Sequence, residues 1–251
     1  MAIDVWFPLA IYYTDLPEQE QYQACQLERI HQLHDNAGKK RTHDTASWTG
    51  DVHKVDAIHN DPVFAWLTAQ VEHHALAYLK TLGHDLSKID LYIQRSWPVI
   101  ARKGQWIAPH AHHNANLSAV YYVSVPKEGN SGQTRFFNDI KHNELSNGIG
   151  SNMTEGYSEH NPLNFQQASY TPTEGRLLLF PAKQTHDVAA NETNEDRVSI
   201  SFDLIMTAKQ AQGQNTPEFL MPSPQNWKKF SPQSCEPFIA VEQAAETAVE
   251  S

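Results

Sequence analysis

Cysteine is nearly absent from this 251-residue chain: only Cys25 and Cys235 occur. Two thiols cannot build a disulfide scaffold, so a reducing cytoplasm is the expected compartment. No apolar run approaches the ~18 residues of a membrane-spanning helix. The opening stretch Met1–Tyr13 is apolar but contains Asp4 and lacks a basic leader, which does not fit a secretory signal. Basic residues are also scarce, with 19 Lys+Arg against 29 Asp+Glu and a net charge of −10 with His neutral. That balance argues against a general nucleic-acid or anionic-membrane binder. It favours a neutral or basic substrate.

Histidine, by contrast, is abundant: the chain has 14. A surplus of this kind is either solvated drift or a metal site, and position decides between them. With 40% hydrophobic and 10% aromatic residues the chain suits a globular protein. Its length allows one large core. Asp15-Leu-Pro-Glu18 predicts a helix start capped by Asp15, with Tyr22, Leu27, Ile30 and Leu33 as its apolar stripe and Gly38 as its end. Asp61-Pro62 opens a second helix that Gly83 closes. Its buried face is predicted as Phe64, Leu67, Val71, Ala75, Tyr78 and Leu82. His31 and His34 are expected on the first helix's surface, and His73 and His74 in structural roles.

After Gly83 the texture becomes that of short strands: 89–97, 117–125, 134–137, 176–180 and 197–206. The fold class is therefore mainly β with flanking helices, a sandwich or jelly roll. Residues 1–251 read as one domain. An N-terminal strand and supporting helices occupy 1–88, the β core 89–206, and an extension with a short terminal helix 207–251. The polar stretch from Asn138 to Thr171 reads as a lid or a disordered loop.

Three segments could carry chemistry. In Pro109-His110-Ala111-His112-His113, residues i and i+2 of an extended chain share a face, so His110 and His112 can converge on one metal while His113 points away. An exposed His-rich turn would read the same way. The segment Gly175–Pro181, a buried apolar strand, delivers His186 beyond its far end, where an ordinary polar strand-end residue would read the same way. Along Arg197–Asp203, Arg197, Ser199, Ser201 and Asp203 share one strand face. A guanidinium beside a hydroxyl there forms a carboxylate-binding pair, although an ordinary half-exposed strand has the same pattern.

His110-x-His112, a distant His186 and Arg197-x-Ser199 together resemble the Fe(II)- and 2-oxoglutarate-dependent dioxygenases, prolyl-hydroxylase-like members in particular. Leu117-Ser-Ala-Val-Tyr-Tyr-Val123 and Gly132-Gln-Thr-Arg-Phe-Phe137 resemble the strands that follow the first ligands there. The wider pattern is Trp97…Gly104…Pro109-His-x-His…Val120-Tyr-Tyr…His186…Arg197-x-Ser-x-Ser-Phe202, with Trp6-Phe-Pro8 ahead of it. It is similar to a bacterial and phage subgroup of these oxygenases. The resemblance implies a double-stranded β-helix, the cupin-like jelly roll. It implies Fe(II) held by His110, His112 and His186, and 2-oxoglutarate held at its far carboxylate by Arg197, Ser199 and Tyr122. The implied product chemistry is hydroxylation of a small-molecule or peptidyl substrate with release of succinate and CO2.

One departure stands out. The family's second ligand is usually a carboxylate, and here that position is His112. A three-His centre is the preferred reading, with Asp139 the nearest carboxylate substitute and Asp187 a neighbour rather than a ligand. Trp106 is expected in the core or the pocket wall. Two rival readings stay open: a cupin-type three-His metalloenzyme that does not use 2-oxoglutarate, and a non-catalytic jelly-roll binding module. A homodimer is also open.

Overall fold

The computed structural model describes residues 2–37, 43–146, 148–149, 156–209 and 220–228. Ten strands and two α-helices make up its regular structure among these residues. Six strands form one antiparallel sheet, in the order β1 (Tyr12–Asp15), β8 (Arg176–Pro181), β5 (Leu117–Ser124), β10 (Arg197–Ala208), β3 (Ile89–Ala101) and β2 (Trp48–Thr49). Four form the second, in the order β4 (Ile107–His110), β9 (His186–Val188), β6 (Thr134–Phe137) and β7 (Gln167–Tyr170). The two sheets line a common cavity, and the architecture is a double-stranded β-helix, or jelly roll.

The period-two pattern of the strands explains why the six-stranded sheet is buried on both faces. Val198, Ile200, Phe202 and Leu204 join the apolar core with Leu117, Ala119, Tyr121, Leu177 and Leu179. That face is covered by α1 (Gln23–Asn36) and α2 (Ala65–Thr81), through Ile30, Leu67, Val71, Ala75, Tyr78 and Leu79. Full burial of each such large side chain contributes about 1.5–3 kcal/mol. The opposite face of β10, with Arg197, Ser199 and Ser201, looks into the cavity.

Several local expectations need correcting. Asp15 does not cap a helix. It ends β1 and receives both Nε and Nη2 of Arg176 from the neighbouring strand, at 2.7 and 2.9 Å. The chain passes instead through a 3-10 turn at Pro17–Gln21, and α1 starts at Gln23. It ends at Asn36, ahead of Gly38, which lies outside the described residues. His34 is half-buried edge-on against Trp48 rather than on the surface. Asp61 does cap, accepting from the Val63 backbone N–H at 3.0 Å, with a 3-10 turn between it and α2. Leu82 is 42% exposed and falls outside the buried face.

The stretch 138–171 is not wholly a loop, because its last residues form β7 against β6. None of its described residues lines the cavity. Among the described residues no helix is long and apolar enough to cross a membrane. The expected C-terminal helix lies outside the described residues.

Candidate metal centre

His110 ends β4, the edge strand of the smaller sheet, where Pro109 is tolerated because an edge residue can lack its N–H. Directly across the ladder His110 faces His186, and His186 faces Phe136 on its other side. Beyond His110 the chain leaves the ladder. The His112 backbone N–H then donates to the Ala182 carbonyl at 2.8 Å, which fixes the segment that presents its ring. The result is a cluster of His110, His112 and His186 whose ligand atoms all lie within 4.8 Å of one another.

The hydrogen bonds decide which nitrogens are available. His110 donates from Nδ1 to the Ala108 carbonyl at 2.8 Å, and His186 from Nδ1 to the Gln184 carbonyl at 2.9 Å. A carbonyl only accepts, so each Nδ1 carries the proton and each Nε2 keeps its lone pair. Burial pushes the His186 ring down to about 3, with the neighbouring His110 adding to the effect. Burial also lowers His110. Both rings are thus neutral near pH 7, the form a divalent transition metal binds. The donor set fits such an ion.

His112 Nδ1 has a different partner, the Asp203 carboxylate at 2.5 Å. Asp203 is fully buried and also receives Arg95 Nη2 at 2.5 Å and Nε at 3.2 Å. Ser118 Oγ donates to it at 3.3 Å. Burial alone would raise the Asp203 carboxyl, but the bonds from His112 and Arg95 outweigh burial and hold it below its ordinary value. A carboxylate therefore stands behind the histidine that occupies the expected carboxylate position. Such an outer partner fixes the tautomer and aims Nε2 at the metal position. Trp97 stacks on His112 with centroids 5.8 Å apart, and Arg95 lies over Trp97 at 4.9 Å.

Arg197, Ser199 and Tyr122 line the same cavity, of about 330 Å³, as the three histidines. Cross-strand register aligns Ser199 with Tyr122 on β5 and Val99 on β3. Arg197 is 1% exposed, and its Nη1 donates to the Ser131 and Gly132 carbonyls at 2.7 and 2.8 Å. Among the described residues no carboxylate pairs with it. Burial lowers its pKa, yet a guanidinium stays protonated. Gly132 makes this approach possible. It has φ +89°, and a Cβ there would lie 2.1 Å from the Ala189 oxygen and 2.7 Å from Arg197 Nη1. Tyr122 OH and Thr134 Oγ1 share a hydrogen bond at 2.8 Å, a partner that nothing in the sequence indicated.

Other expected positions are placed elsewhere. Asp139 is exposed in the loop and outside the cavity lining. Asp187 is buried against Arg135, at 2.8 and 2.5 Å, on the far side of its strand. Trp106 is 42% exposed, neither in the core nor in the pocket wall, and Trp97 is the indole at the site. His113 does not turn away but lines the cavity at its exposed rim.

Residues 95–203 match the sequence model of the family described as "Putative 2OG-Fe(II) oxygenase". The chain resembles the Fe(II)- and 2-oxoglutarate-dependent oxygenases. No curated protein matches it in sequence at a significant level. Among solved structures it is similar to SnoN, a non-heme alpha-ketoglutarate-dependent epimerase from nogalamycin biosynthesis. That likeness has TM-score 0.52 and 16% identity, over 84% of this chain and 90% of that one. AviO1 from Streptomyces viridochromogenes superposes with TM-score 0.51 and 9% identity, over 84% and 94%. HygX from Streptomyces hygroscopicus, solved with nickel, 2-oxoglutarate and hygromycin B, gives TM-score 0.50 and 12% identity, over 78% and 83%. At such identities the likeness shows the fold.

Proposed function

We propose that the chain is an Fe(II)- and 2-oxoglutarate-dependent dioxygenase that hydroxylates a small molecule or a peptidyl side chain. On this reading His110, His112 and His186 hold Fe(II) through Nε2. Arg197, with Ser199 and Tyr122, takes the far carboxylate of 2-oxoglutarate. The observation that carries the reading is Arg197: a fully buried guanidinium, without a carboxylate partner among the described residues, in the same cavity as the three clustered imidazoles. A buried cation of this kind calls for an anion. The cupin-type alternative, which does not use 2-oxoglutarate, leaves Arg197 without a role.

With O2 as the oxidant, iron and 2-oxoglutarate would supply, when bound, chemistry able to take hydrogen from an unactivated carbon, one oxygen atom going to succinate, formed with CO2, and the other to the hydroxylated product. The protein's own share is placement. Asp203 and the two backbone carbonyls lock the three rings as Nδ1–H tautomers. Burial keeps His110 and His186 neutral, and Arg197 with Gly132 behind it orients a dicarboxylate along the barrel. All of 1–251 is proposed to work as one oxygenase domain. Residues before Ile89 supply both edge strands of the six-stranded sheet and both covering helices. The chain's two cysteines suit a cytoplasmic setting.

The test is anaerobic addition of Fe(II) and 2-oxoglutarate, followed by air. A weak visible charge-transfer band, then release of succinate, is the expected result. Absence of both in folded, iron-loaded protein refutes the proposal. Isotopic oxygen in the organic product separates hydroxylation from the other outcomes this fold supports, epimerisation among them.

A further inference from the structure

The cavity wall contains a carboxylate that the proposed chemistry does not use. Asp51 begins a 3-10 turn, Asp51–His53, between β2 and α2. The turn is tied to β3 by Gly50, whose N–H donates to the Pro98 carbonyl at 2.9 Å. A side chain at Gly50 would meet the Val55 oxygen at 2.6 Å and Pro98 Cδ at 2.8 Å, so the turn sits as close to the sheet as backbone permits. Asp51 is thereby held on the lining of the cavity that contains the three histidines.

Its carboxylate is poorly satisfied there. Oδ1 has no hydrogen-bond partner among the described residues but is closed off from the cavity, so what enters can reach only Oδ2. Oδ2 lies 3.8 Å from Arg95 Nη1, beyond hydrogen-bonding distance. Arg95 gives its two short bonds to Asp203, so that pair is mutually neutralised and the negative charge of Asp51 is left over. Arg197, on the same cavity, is reserved on this reading for the cosubstrate. Oδ2, on a side chain that is 22% exposed, is left to accept from the cavity. The neighbouring lining residues Thr49, Asn114 and His113 are polar. The cavity of about 330 Å³ must be shared with 2-oxoglutarate, so what enters has the dimensions of a side chain.

We infer that Asp51 is the substrate-recognising residue and that the substrate presents a protonated primary amine to it. This rests on the oxygenase reading, because it needs the cavity beyond the metal to be the substrate's. An ammonium supplies Oδ2 with both a donor and an adjacent positive charge. A neutral hydroxyl supplies only the donor, and a carboxylate is repelled. The chain's overall acidity points the same way.

Three probes of equal length separate these cases: n-butylammonium, n-butanol and butyrate. Each is titrated by ligand-observed NMR into protein loaded anaerobically with Fe(II) and 2-oxoglutarate, and into metal-free protein. The ammonium is expected to bind about tenfold or more tightly than the alcohol, the difference between a charge-assisted and a neutral hydrogen bond. Asp51→Asn should abolish the preference and Asp51→Glu should keep part of it. Asp51→Ser serves if the Asn variant fails to fold, with circular dichroism as the check on each. Equal binding of ammonium and alcohol overturns the inference, as does binding of none of the three or a preference that survives Asp51→Asn. A charge-transfer band altered by Asp51→Asn before any probe is added would place Asp51 at the metal and also overturn it. Loss of the band in wild-type protein would instead refute the oxygenase reading. The probe preference on metal-free protein would still decide the role of Asp51.

Discussion

Replacing Asp203 should weaken metal binding without touching a ligand. The His112 N–H donates to an ionised carboxylate at 2.5 Å, in a position shielded from water. A bond to a charged acceptor contributes about 1.5–3 kcal/mol and a neutral one about 0.5–1.5. Asp203→Asn keeps an acceptor oxygen, so the tautomer survives while the bond drops from the first class to the second. The expected loss is about 1.4 kcal/mol, or roughly tenfold in metal affinity. Asp203→Leu removes the acceptor altogether and frees the ring, and its loss should approach the ~100-fold end of the range for outer-shell partners. Arg95 loses its main partner in both variants. Its side chain is 30% exposed and has Asp51 within 3.8 Å, but buried Asp203 also accepts from Ser118, so the fold should lose about 1–3 kcal/mol. Calorimetric titration with Ni(II), alongside urea denaturation of the metal-free proteins, separates the two effects. Wild-type affinity in folded Asp203→Leu would refute the reasoning. So would equal losses in the Asn and Leu variants, since the acceptor would then be irrelevant.

Arg197→Met should abolish 2-oxoglutarate binding, with a loss of about 100-fold or more, while Ni(II) affinity stays within about twofold. Parallel loss of both would mean the barrel had misfolded. Gly132→Ala should cost more than about 2 kcal/mol, because its Cβ strikes the Ala189 oxygen and Arg197 Nη1 in a left-handed conformation. Gly104→Ala has φ +77° but nothing within 4 Å, so it isolates the conformational part at about 1–2 kcal/mol. Thermal or urea unfolding of the pair gives the clash by difference. Metal-free protein should also lose stability in mild acid. His186 titrates near 6.5 when unfolded and is pushed down to about 3 when folded, so its contribution is complete above pH 6.5 and is lost as pH falls toward 3. From pH 7.5 to 5.5 that loss is about 1.4 kcal/mol for His186 alone, and His110 shifts in the same direction. The His186→Asn variant should show a flatter pH dependence by that amount, and an identical slope would refute the assignment.

Legibility in the sequence followed how local the cause was. The alternation along 197–206 predicted which residues face the helices and which face the cavity, because a pleated strand needs no partner to define its two faces. The spacing in 61–82 located α2 for the same reason. Four short strands were invisible: β2, β4, β7 and β9 carry little pattern of their own and exist because a neighbouring strand offers them a ladder, whereas β6, equally short, was legible. β4 even contains a proline, which reads as a breaker until its place on the sheet edge is known.

The site divides along the same line. His110, His112, His186 and Arg197 were visible as residue types in order. Asp203 was placed on the right face of its strand but could not be joined to His112. The bond depends on two non-local facts. The β10–β5 register brings Asp203 opposite Ser118, and the His112 backbone is anchored to Ala182. Asp51 was invisible for a further reason. Its significance lies in an acceptor left without a donor, and an unmet requirement of that kind exists only once every neighbour has been placed. The apparent loss of a carboxylate at position 112 therefore looks different in three dimensions. The carboxylate is present one hydrogen bond away, at Asp203, where it can orient the His112 ring.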